Sequence, residues 1–363
     1  MKNFAIPLSG LALAFALSTG LAQAQEVRVY NWSDYIDESI LEDFEKETGI
    51  KVIYDVFDSN EVLETKLLAG ATGYDVVVPS GEFLGRQIEA GVFQKLDRSK
   101  LPNLANMWDA ITKQTAKYDP GNEYSVNYMW GTTGIGYNVA KIKEILEIEE
   151  VDSWNVIFDP DTIAKLKDCG VHVLDAAQEM VPAALNYLGL NPDSREADDL
   201  SKAEELLLKA RPNVQKFHSS EYINALANGD ICVAVGYSGD VIQAADRAAE
   251  AGNNVEISYA IPKEGAKLWF DQMAIPADSR NADAAHKFID YMMRPDVIAK
   301  ASNYVYYANG NKASQALLEE DLINDPTIYP DEETTSRLFS TLPYDAKTNR
   351  LVTRIWTRVT TGQ

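Results

Sequence analysis

The sequence predicts an α/β fold that is divided into two lobes. Strand-like and helix-like segments alternate along the chain, and this alternation is typical of a parallel sheet that helices cover. The chain has 363 residues. Even without an expected signal peptide over residues 1–24, this length exceeds the roughly 250–300 residues at which a single hydrophobic core stops growing. Two lobes, each with its own core, are therefore expected.

The N-terminal segment has the pattern of a signal peptide. Lys2 gives the positive start, residues 11–17 form an apolar stretch, and Ala-Gln-Ala at residues 22–24 forms a small-residue cleavage site. The apolar stretch is shorter than the roughly 20 residues that a membrane-spanning helix needs. We therefore expect export from the cytoplasm, cleavage after Ala24 and a mature chain that begins at Gln25.

The first lobe begins with three predicted strand–helix units. In each unit, an apolar segment suited to a strand is followed by a segment with helical spacing and by a glycine that can end a helix. The capping-box spacing of Asp58 and Glu61 predicts the start of the second helix. The predicted strands cover residues 27–30, 50–56 and 75–79, and the predicted helices end at Gly49, Gly70 and Gly91.

A second series of strand–helix units predicts the second lobe. Strands are expected at residues 171–174 and 231–235, with helices over residues 180–188 and from Val241 onward. Between the two series, residues 130–137 are rich in glycine and threonine. We interpret this segment as an extended crossover between the lobes rather than as a flexible linker.

The composition is strongly acidic. The chain has 55 Asp and Glu residues against 33 Lys and Arg residues, which gives a formal net charge of −22. Most of such a surplus serves solubility. It nevertheless argues against a nucleic acid partner and favours a cationic ligand over an anionic one.

The chain contains two cysteines, Cys169 and Cys232. In an exported protein an even pair is expected to form a disulfide bond, which would close a loop within the second lobe. Two thiols alone do not make a metal site. The three histidines, His172, His218 and His286, lack a metal-ligand spacing, so neither a metal nor another cofactor is expected.

Aromatic and acidic residues recur where the predicted strands end. In an open parallel sheet, ligands collect beyond the carboxyl ends of the strands. Carboxylates accept charge-assisted hydrogen bonds from ammonium groups, and aromatic faces contact methylenes and attract cations. The combination predicts a polyamine site, although core packing is the default for any single aromatic residue. These ends carry residues 32–35, Ser80, Glu179 and residues 237–240, and residues 269–271 and 306–309 add further aromatic and acidic side chains.

Motifs of enzymes are incomplete in this sequence. Residues 236–239 resemble a nucleophile elbow, but Asp240 stands where the final glycine belongs. Residues 134–136 are a fragment of a dinucleotide fingerprint in which Val139 replaces the third glycine. We therefore assign no catalytic residue. A glycoside-type hydrolase with a carboxylate pair and a polyamine sensor partner without transport remain as alternatives to a transport binding protein.

Five segments of the sequence carry a family resemblance: residues 30–35, 44–50, 55–61, 132–138 and 227–232. They resemble segments of periplasmic putrescine- and spermidine-binding proteins, and the similarity extends over essentially the whole mature chain. The resemblance implies a two-lobed, type II periplasmic binding fold whose lobes close on a ligand by a hinge motion. It also implies a periplasmic location, a monomer, and the membrane permease of an ABC transporter as partner. The implied lobes are 25–132 plus 262–305 and 133–261 plus 306–363.

The resemblance also implies a ligand pocket and roles for its residues. The implied pocket residues are Trp32, Ser33, Asp34, Tyr35, Ser80, Glu179, Tyr237, Asp240, Trp269, Asp271 and Tyr307. Asp240 and Asp271 are expected to hold ammonium groups, and Asp34 and Glu179 to make the other polar contacts. The aromatic residues among them are expected to line the aliphatic stem of the ligand. The cysteine pair matches the disulfide bond of the family.

The choice between the two polyamines is expected to depend on position 269. Trp269 stands where putrescine-type members have Phe, and Trp two residues before Asp is similar to spermidine-preferring members. Asp34 and Phe83 are instead similar to the putrescine type, and Glu82 adds a carboxylate near Ser80. We favour spermidine as the preferred ligand, with putrescine as the alternative.

Overall fold

The structure of the protein, a computed structural model, describes residues 25–362. The expected signal peptide and its cleavage site lie outside the described residues. Within residues 25–362, no helix is both long enough and apolar enough to cross a membrane.

Strands and helices alternate along most of the described chain, which confirms the predicted α/β class. The strands are β1 (Glu26–Trp32), β2 (Lys51–Phe57), β3 (Val76–Val77), β4 (Ser125–Asn138), β5 (Val171–Val173), β6 (Lys216–Phe217), β7 (Val233–Tyr237), β8 (Ile257–Ala260), β9 (Lys267–Ala274) and β10 (Ala308–Asn309). The helices are α1 (Glu38–Thr48), α2 (Asn60–Ala69), α3 (Gly81–Glu89), α4 (Asp109–Thr115), α5 (Val139–Leu146), α6 (Asn155–Phe158), α7 (Pro160–Leu166), α8 (Ala177–Tyr187), α9 (Ala197–Ala210), α10 (Tyr222–Ala227), α11 (Ser238–Ala251), α12 (Ala282–Met292), α13 (Pro295–Val305), α14 (Glu320–Ile323), α15 (Glu332–Thr335) and α16 (Ala346–Thr361).

The strands of the described chain form one mixed sheet. Its order is β2-β1-β3-β9-β4-β7-β5-β6, and β8 and β10 also pair with β4. The outer strands at both ends are parallel, as the strand–helix units predict. The middle strands are antiparallel, because β4 crosses from one lobe to the other and β9 returns beside it in the opposite direction. The expectation of a parallel sheet therefore does not hold for the middle strands.

Strand β4 connects the two lobes. We call the lobe that contains β1 to β3 lobe 1 and the lobe that contains β5 to β7 lobe 2. Strand β4 is buried along its whole length; its first part pairs with β9, and its last residues pair with β7 and β8. The predicted crossover at residues 130–137 lies inside this strand. Pairing with neighbouring strands extends along β4, with a register shift in the β4–β9 ladder between Asn127 and Trp130.

The ends of the first two helices follow the sequence signals with one exception. Gly49 ends α1 with a φ of 69°, a left-handed conformation that glycine adopts without strain. Helix α2 begins after Ser59, whose side chain accepts a hydrogen bond from the backbone N–H of Val62. The cap is therefore Ser59, and the predicted capping box of Asp58 and Glu61 is wrong.

Each lobe has its own large core. Phe44 and Phe288 lie in the core of lobe 1, where their ring centroids are 5.3 Å apart. Trp154, Tyr222 and Trp356 lie in the core of lobe 2. Because each lobe buries its apolar residues separately, the lobes can move relative to each other without opening either core.

The C-terminal part of the chain packs against both lobes. Ala308, Leu322 and Ile328 share a cluster with Trp130 beside lobe 1, whereas Trp356 of α16 packs in lobe 2. The chain therefore crosses between the lobes more than twice. The predicted lobe bounds, 25–132 plus 262–305 and 133–261 plus 306–363, stay a prediction.

Cys169 and Cys232 form the expected disulfide bond. Cys169 lies two residues before the start of β5, and Cys232 immediately precedes β7. These two strands are parallel neighbours in lobe 2. The backbone N–H of Cys232 also donates a hydrogen bond to the carbonyl of Gly170 at 3.0 Å. The disulfide bond thus links these two strands through cysteines that are 63 residues apart in the chain.

Replacing both cysteines by alanine is expected to lower the free energy of unfolding. For a separation of 63 residues, the chain-entropy model gives a loss of about 4 kcal/mol, because the bond restricts the unfolded chain. Urea unfolding of Cys169→Ala/Cys232→Ala beside the parent protein measures this change. Equal unfolding free energies for the two proteins would contradict it.

Candidate binding site

A cavity lies between the two lobes, beyond the ends of β1, β3 and β7. It encloses about 450 Å³ of space, including its open mouth. All of the predicted site residues except Asp34 are in its lining. The lining residues are Trp32, Ser33, Tyr35, Asp58, Ser80, Glu179, Ser219, Tyr237, Asp240, Trp269, Asp271 and Tyr307. Their contacts with a ligand stay a prediction.

The ends of strands from both lobes place the lining side chains. Trp32 is the last residue of β1, and Ser80 precedes the first turn of α3 shortly after β3. In lobe 2, Tyr237 ends β7 and Asp240 lies in the first turn of α11. The carboxyl ends of parallel strands in both lobes thus face one crevice, which is where open α/β sheets bind ligands.

Asp271 is a buried acid in the wall that lobe 1 contributes. Its Oδ1 accepts a hydrogen bond from Ser80 Oγ at 2.6 Å, and its Oδ2 accepts one from Tyr35 Oη at 2.9 Å. Burial raises the pKa of Asp271 to about 7, although these two hydrogen bonds oppose the shift. Because neutral hydroxyl groups are its partners, a cation placed beside this carboxyl group would favour its ionised form.

Asp240 is the corresponding buried acid of lobe 2. Its Oδ2 accepts a hydrogen bond from Tyr222 Oη, and its Oδ1 accepts one from Tyr307 Oη, both at 2.6 Å. Burial raises the pKa of Asp240 to about 6, against the effect of the two tyrosine hydroxyls. The cavity therefore contains two carboxyl groups, one from each lobe, that are held in position by hydroxyl donors.

Aromatic rings form much of the remaining wall. The ring centroids of Tyr237 and Trp269 are 5.7 Å apart, and those of Trp269 and Tyr307 are 5.3 Å apart. Trp32 of lobe 1 and Tyr237 of lobe 2 are arranged edge to face, with their ring centroids 6.4 Å apart. Such a wall is suited to an aliphatic chain that carries cationic groups.

A buried lysine beside the cavity is the main feature that the sequence analysis missed. Lys267 Nζ donates hydrogen bonds to Glu179 Oε1 and to Glu82 Oε1, each at 2.6 Å. Thr133 Oγ1 donates to the other Glu179 oxygen at 2.6 Å. Burial alone would lower the pKa of Lys267, but the two carboxylates outweigh burial and raise it. Glu179 therefore lines the cavity with both of its oxygens already engaged.

Asp58 and Ser219 also line the cavity and were not predicted to do so. The sequence pattern assigned Asp58 to a capping box, and Ser219 lies in a loop without a recognisable pattern. The Ser219 hydroxyl is buried and has no hydrogen-bond partner among the described residues. It is thus available to a bound molecule.

Asp34 lies outside the cavity lining. Its φ of 53° is in the left-handed region, which turns this residue away from the path of β1. Asp34 Oδ1 accepts a hydrogen bond from Arg247 Nη2 at 2.6 Å. Because Arg247 belongs to α11, the pair connects the two lobes at the edge of the cleft. The expected contact of Asp34 with a ligand is not part of this geometry and stays a prediction.

The histidines lie in different parts of the fold. His172 is in β5, and His286 accepts a hydrogen bond from the backbone N–H of Asp97 at 2.8 Å. His218 Nε2 is 3.7 Å from Asp58 Oδ2 at the mouth of the cleft. Within residues 25–362, no group of three or more His, Cys, Asp and Glu side chains could hold a metal ion.

Known proteins with similar sequences match almost the full length of the chain. The model of one family, described as bacterial extracellular solute-binding protein, matches residues 39–330. The putrescine-binding periplasmic protein PotF of Escherichia coli is 52% identical over 358 residues, which cover 98% of this chain and 97% of that protein. The putrescine-binding periplasmic protein SpuD of Pseudomonas aeruginosa is 52% identical over an alignment of 367 positions, which covers 100% of this chain and 100% of that protein.

A solved structure supports the same relationship. The substrate-binding protein PotD of a spermidine/putrescine ABC transporter from Streptococcus pneumoniae is 30% identical, with a TM-score of 0.75. The similarity covers 93% of this chain and 99% of that chain, and it confirms the two-lobed fold. The expectation that the protein is not an enzyme is also confirmed, because these relatives are binding proteins. The chain belongs to the family of bacterial extracellular solute-binding proteins.

Proposed function

We propose that this protein captures polyamines in the periplasm and delivers them to the membrane permease of an ABC transporter. Putrescine is the best-supported ligand. The observation that carries the proposal is the placement of Asp240 and Asp271, which are buried in opposite lobes and line the same cavity. Two ammonium groups on one flexible chain match two such carboxylates.

The electrostatics of the cavity support a cationic ligand over a neutral one. An ionised carboxylate that is buried among neutral groups is costly, and an ammonium group that hydrogen-bonds to it compensates for the lost hydration. Each charged hydrogen bond contributes about 1.5–3 kcal/mol. The aromatic walls add contacts with the methylenes between the charges. A sugar would supply only neutral hydroxyls, so the glycoside-type hydrolase is not retained as an alternative.

The choice between putrescine and spermidine differs from the sequence-based expectation. Trp269 favours spermidine by resemblance, but the preference for spermidine is not confirmed. The relatives at 52% identity are named putrescine-binding proteins, whereas those named spermidine/putrescine-binding proteins are 34–35% identical. We therefore propose putrescine as the main ligand.

The two lobes supply complementary parts of the site, which gives a physical basis for closure. Trp32, Tyr35 and Asp271 belong to lobe 1, and Tyr237 and Asp240 belong to lobe 2. A diamine that contacts both carboxylates binds the closed arrangement better than an open one, so it shifts the population toward closure. We propose that a monomer in this closed form is what the permease recognises.

Calorimetry and thermal unfolding with a panel of compounds test the proposed function. The panel contains putrescine, spermidine, glucose and glutamate, each at increasing concentration. A ligand at 100 times its dissociation constant stabilises the folded state by about 2.7 kcal/mol. We expect this stabilisation for the amines and none for glucose or glutamate. If neither amine binds, or if the sugar binds more tightly, the proposed function is wrong.

Replacing Arg247 by alanine is expected to weaken putrescine binding by no more than about fivefold. The Asp34–Arg247 pair stabilises the closed arrangement, but both side chains are about one third exposed, and such pairs contribute about 0.2–1 kcal/mol. Calorimetric titration with putrescine measures the effect. Arg350→Ala, at a distant site on α16, is the matched control. A loss of 100-fold or more would mean that the pair has a direct role in binding.

A further inference from the structure

The group formed by Lys267, Glu82 and Glu179 is a buried cation between two carboxylates at one side of the cavity. The side chains of Lys267 and Glu82 are each 1% exposed, and that of Glu179 is 8% exposed. Lys267 Nζ also donates a hydrogen bond to the carbonyl of Gln178 at 2.9 Å, so each of its three N–H groups has a partner. The lysine is therefore fixed in one position.

The strand that carries the cavity residues also carries this lysine. Side chains two residues apart on a strand point to the same face. Lys267, Trp269 and Asp271 follow one another at this spacing along β9. The Lys267 side chain is therefore on the same face of β9 as Trp269 and Asp271, which line the cavity. Its ammonium group lies next to Glu179, which also lines the cavity.

The position of Lys267 limits the interactions that the Glu179 carboxylate can make with a ligand ammonium group. One oxygen of Glu179 accepts from Lys267 and the other accepts from Thr133. A ligand ammonium that approached Glu179 would come close to a second positive charge, and like charges in a desolvated site repel strongly. Asp240 and Asp271 have hydroxyl partners instead, so they are the buried carboxyl groups of the cavity that can pair with an ammonium group. The other lining carboxylate, Asp58, has a side chain that is 44% exposed to water.

We propose that Lys267 is a specificity-determining residue, a built-in cation that restricts the site to amines with two ammonium groups and disfavours triamines. This inference rests on the proposed function and deepens it. Glu82 has the complementary role, because it balances the charge of the buried lysine. Its second oxygen, Oε2, is buried and has no hydrogen-bond partner among the described residues. Removal of the lysine therefore requires that the charge of Glu82 is removed as well.

The parent protein gives the first test. Calorimetric titration with putrescine and with spermidine, under the same conditions, is expected to give tighter binding of putrescine by at least about tenfold, the factor that corresponds to one charge-assisted hydrogen bond. Equal binding of the two amines, or tighter binding of spermidine, overturns the inference without any variant. If neither amine binds, the proposed function fails first and the inference falls with it.

The double variant Lys267→Met/Glu82→Gln gives the second test. It removes the built-in cation and its balancing charge and leaves Glu179 open to the cavity. The ratio of spermidine affinity to putrescine affinity is expected to rise by at least about tenfold. Lys267→Met alone is not used, because it would leave two buried carboxylates without a cation. An unchanged ratio in a folded double variant, with putrescine still bound, overturns the inference alone.

Two further variants separate specificity from structural support. Glu82→Gln keeps the Lys267–Glu179 contact and is expected to keep the preference for putrescine. Adding Glu179→Gln to the double variant removes the newly available carboxylate, and the gain for spermidine should then disappear. If the double variant does not unfold cooperatively on heating, Lys267→Gln/Glu82→Gln replaces it, because its amides preserve hydrogen bonds. A gain that persists without Glu179 contradicts the inference.

Discussion

Replacing Asp240 by asparagine is expected to weaken putrescine binding by about 100-fold, and replacing Asp271 by asparagine is expected to do the same. Each substitution leaves a buried ammonium group without its anionic partner, a loss that typically costs about 2–5 kcal/mol. Asparagine has nearly the size of aspartate, and its carbonyl can still accept one of the hydroxyl hydrogen bonds at each site. Titration calorimetry at pH 8, where both acids are ionised, measures the change.

A matched control for this prediction lies on the same helix as Asp240. Asp246 is an exposed residue of α11, so Asp246→Asn makes the same change of charge outside the cavity. Its effect on putrescine binding is expected to stay below about threefold, as for an exposed charge. If Asp240→Asn and Asp246→Asn gave the same small effect, Asp240 would not be a binding residue.

The affinity for putrescine is expected to fall by about 1000-fold between pH 8 and pH 5, because both carboxyl groups must be ionised to pair with ammonium. Burial raises the pKa of Asp271 to about 7 and that of Asp240 to about 6 in the unoccupied site. At pH 5 the two protonation equilibria would contribute factors of about 100 and about 10. The amines of the ligand stay protonated over this range.

Calorimetry in buffers of different ionisation enthalpy provides the direct readout of this effect. At pH 5.5, binding should release more than one proton per molecule of putrescine. The double variant Asp240→Asn/Asp271→Asn should lose this proton release. An affinity that is constant between pH 8 and pH 5 would contradict the prediction.

The same two acids also make the stability of the ligand-free protein depend on pH. This stability changes with pH in the direction opposite to the affinity for putrescine. Both pKa values in the folded protein are higher than the ordinary value of 3.8, so the folded state binds more protons than the unfolded state between about pH 4 and pH 7. The contribution of these groups to stability is therefore largest at low pH and is lost as the pH rises through about 6 and 7. The difference between the parent protein and the double asparagine variant isolates their contribution.

Much of the architecture follows from patterns that are local in the sequence. The alternation of strand and helix patterns predicts the class, and glycines such as Gly49 predict where helices end. The mixed character of the sheet could not be predicted in this way. Whether β4 and β9 run parallel or antiparallel depends on how often the chain crosses between the lobes. No local sequence pattern indicates the number of these crossings.

Part of the candidate site was predictable because its residues follow strand ends, whereas Trp269 and Asp271 lie within β9. Residues such as Trp32, Ser80 and Tyr237 occupy the positions at which a sheet binds ligands. Lys267 was not found, although its spacing from Trp269 on β9 places both on one face. Its role depends on Glu82 and Glu179, which are far away in the sequence and meet it only in the folded chain.

The position of α16 affects the order in which the protein can fold. Val352, Ile355 and Trp356 of this helix belong to the core of lobe 2, and Trp356 Nε1 donates a hydrogen bond to Asp175 at 2.7 Å. Helix α16 comes after every strand of lobe 2 in the chain. A chain that is synthesised from its N-terminus therefore cannot complete the core of lobe 2 until α16 has also been made.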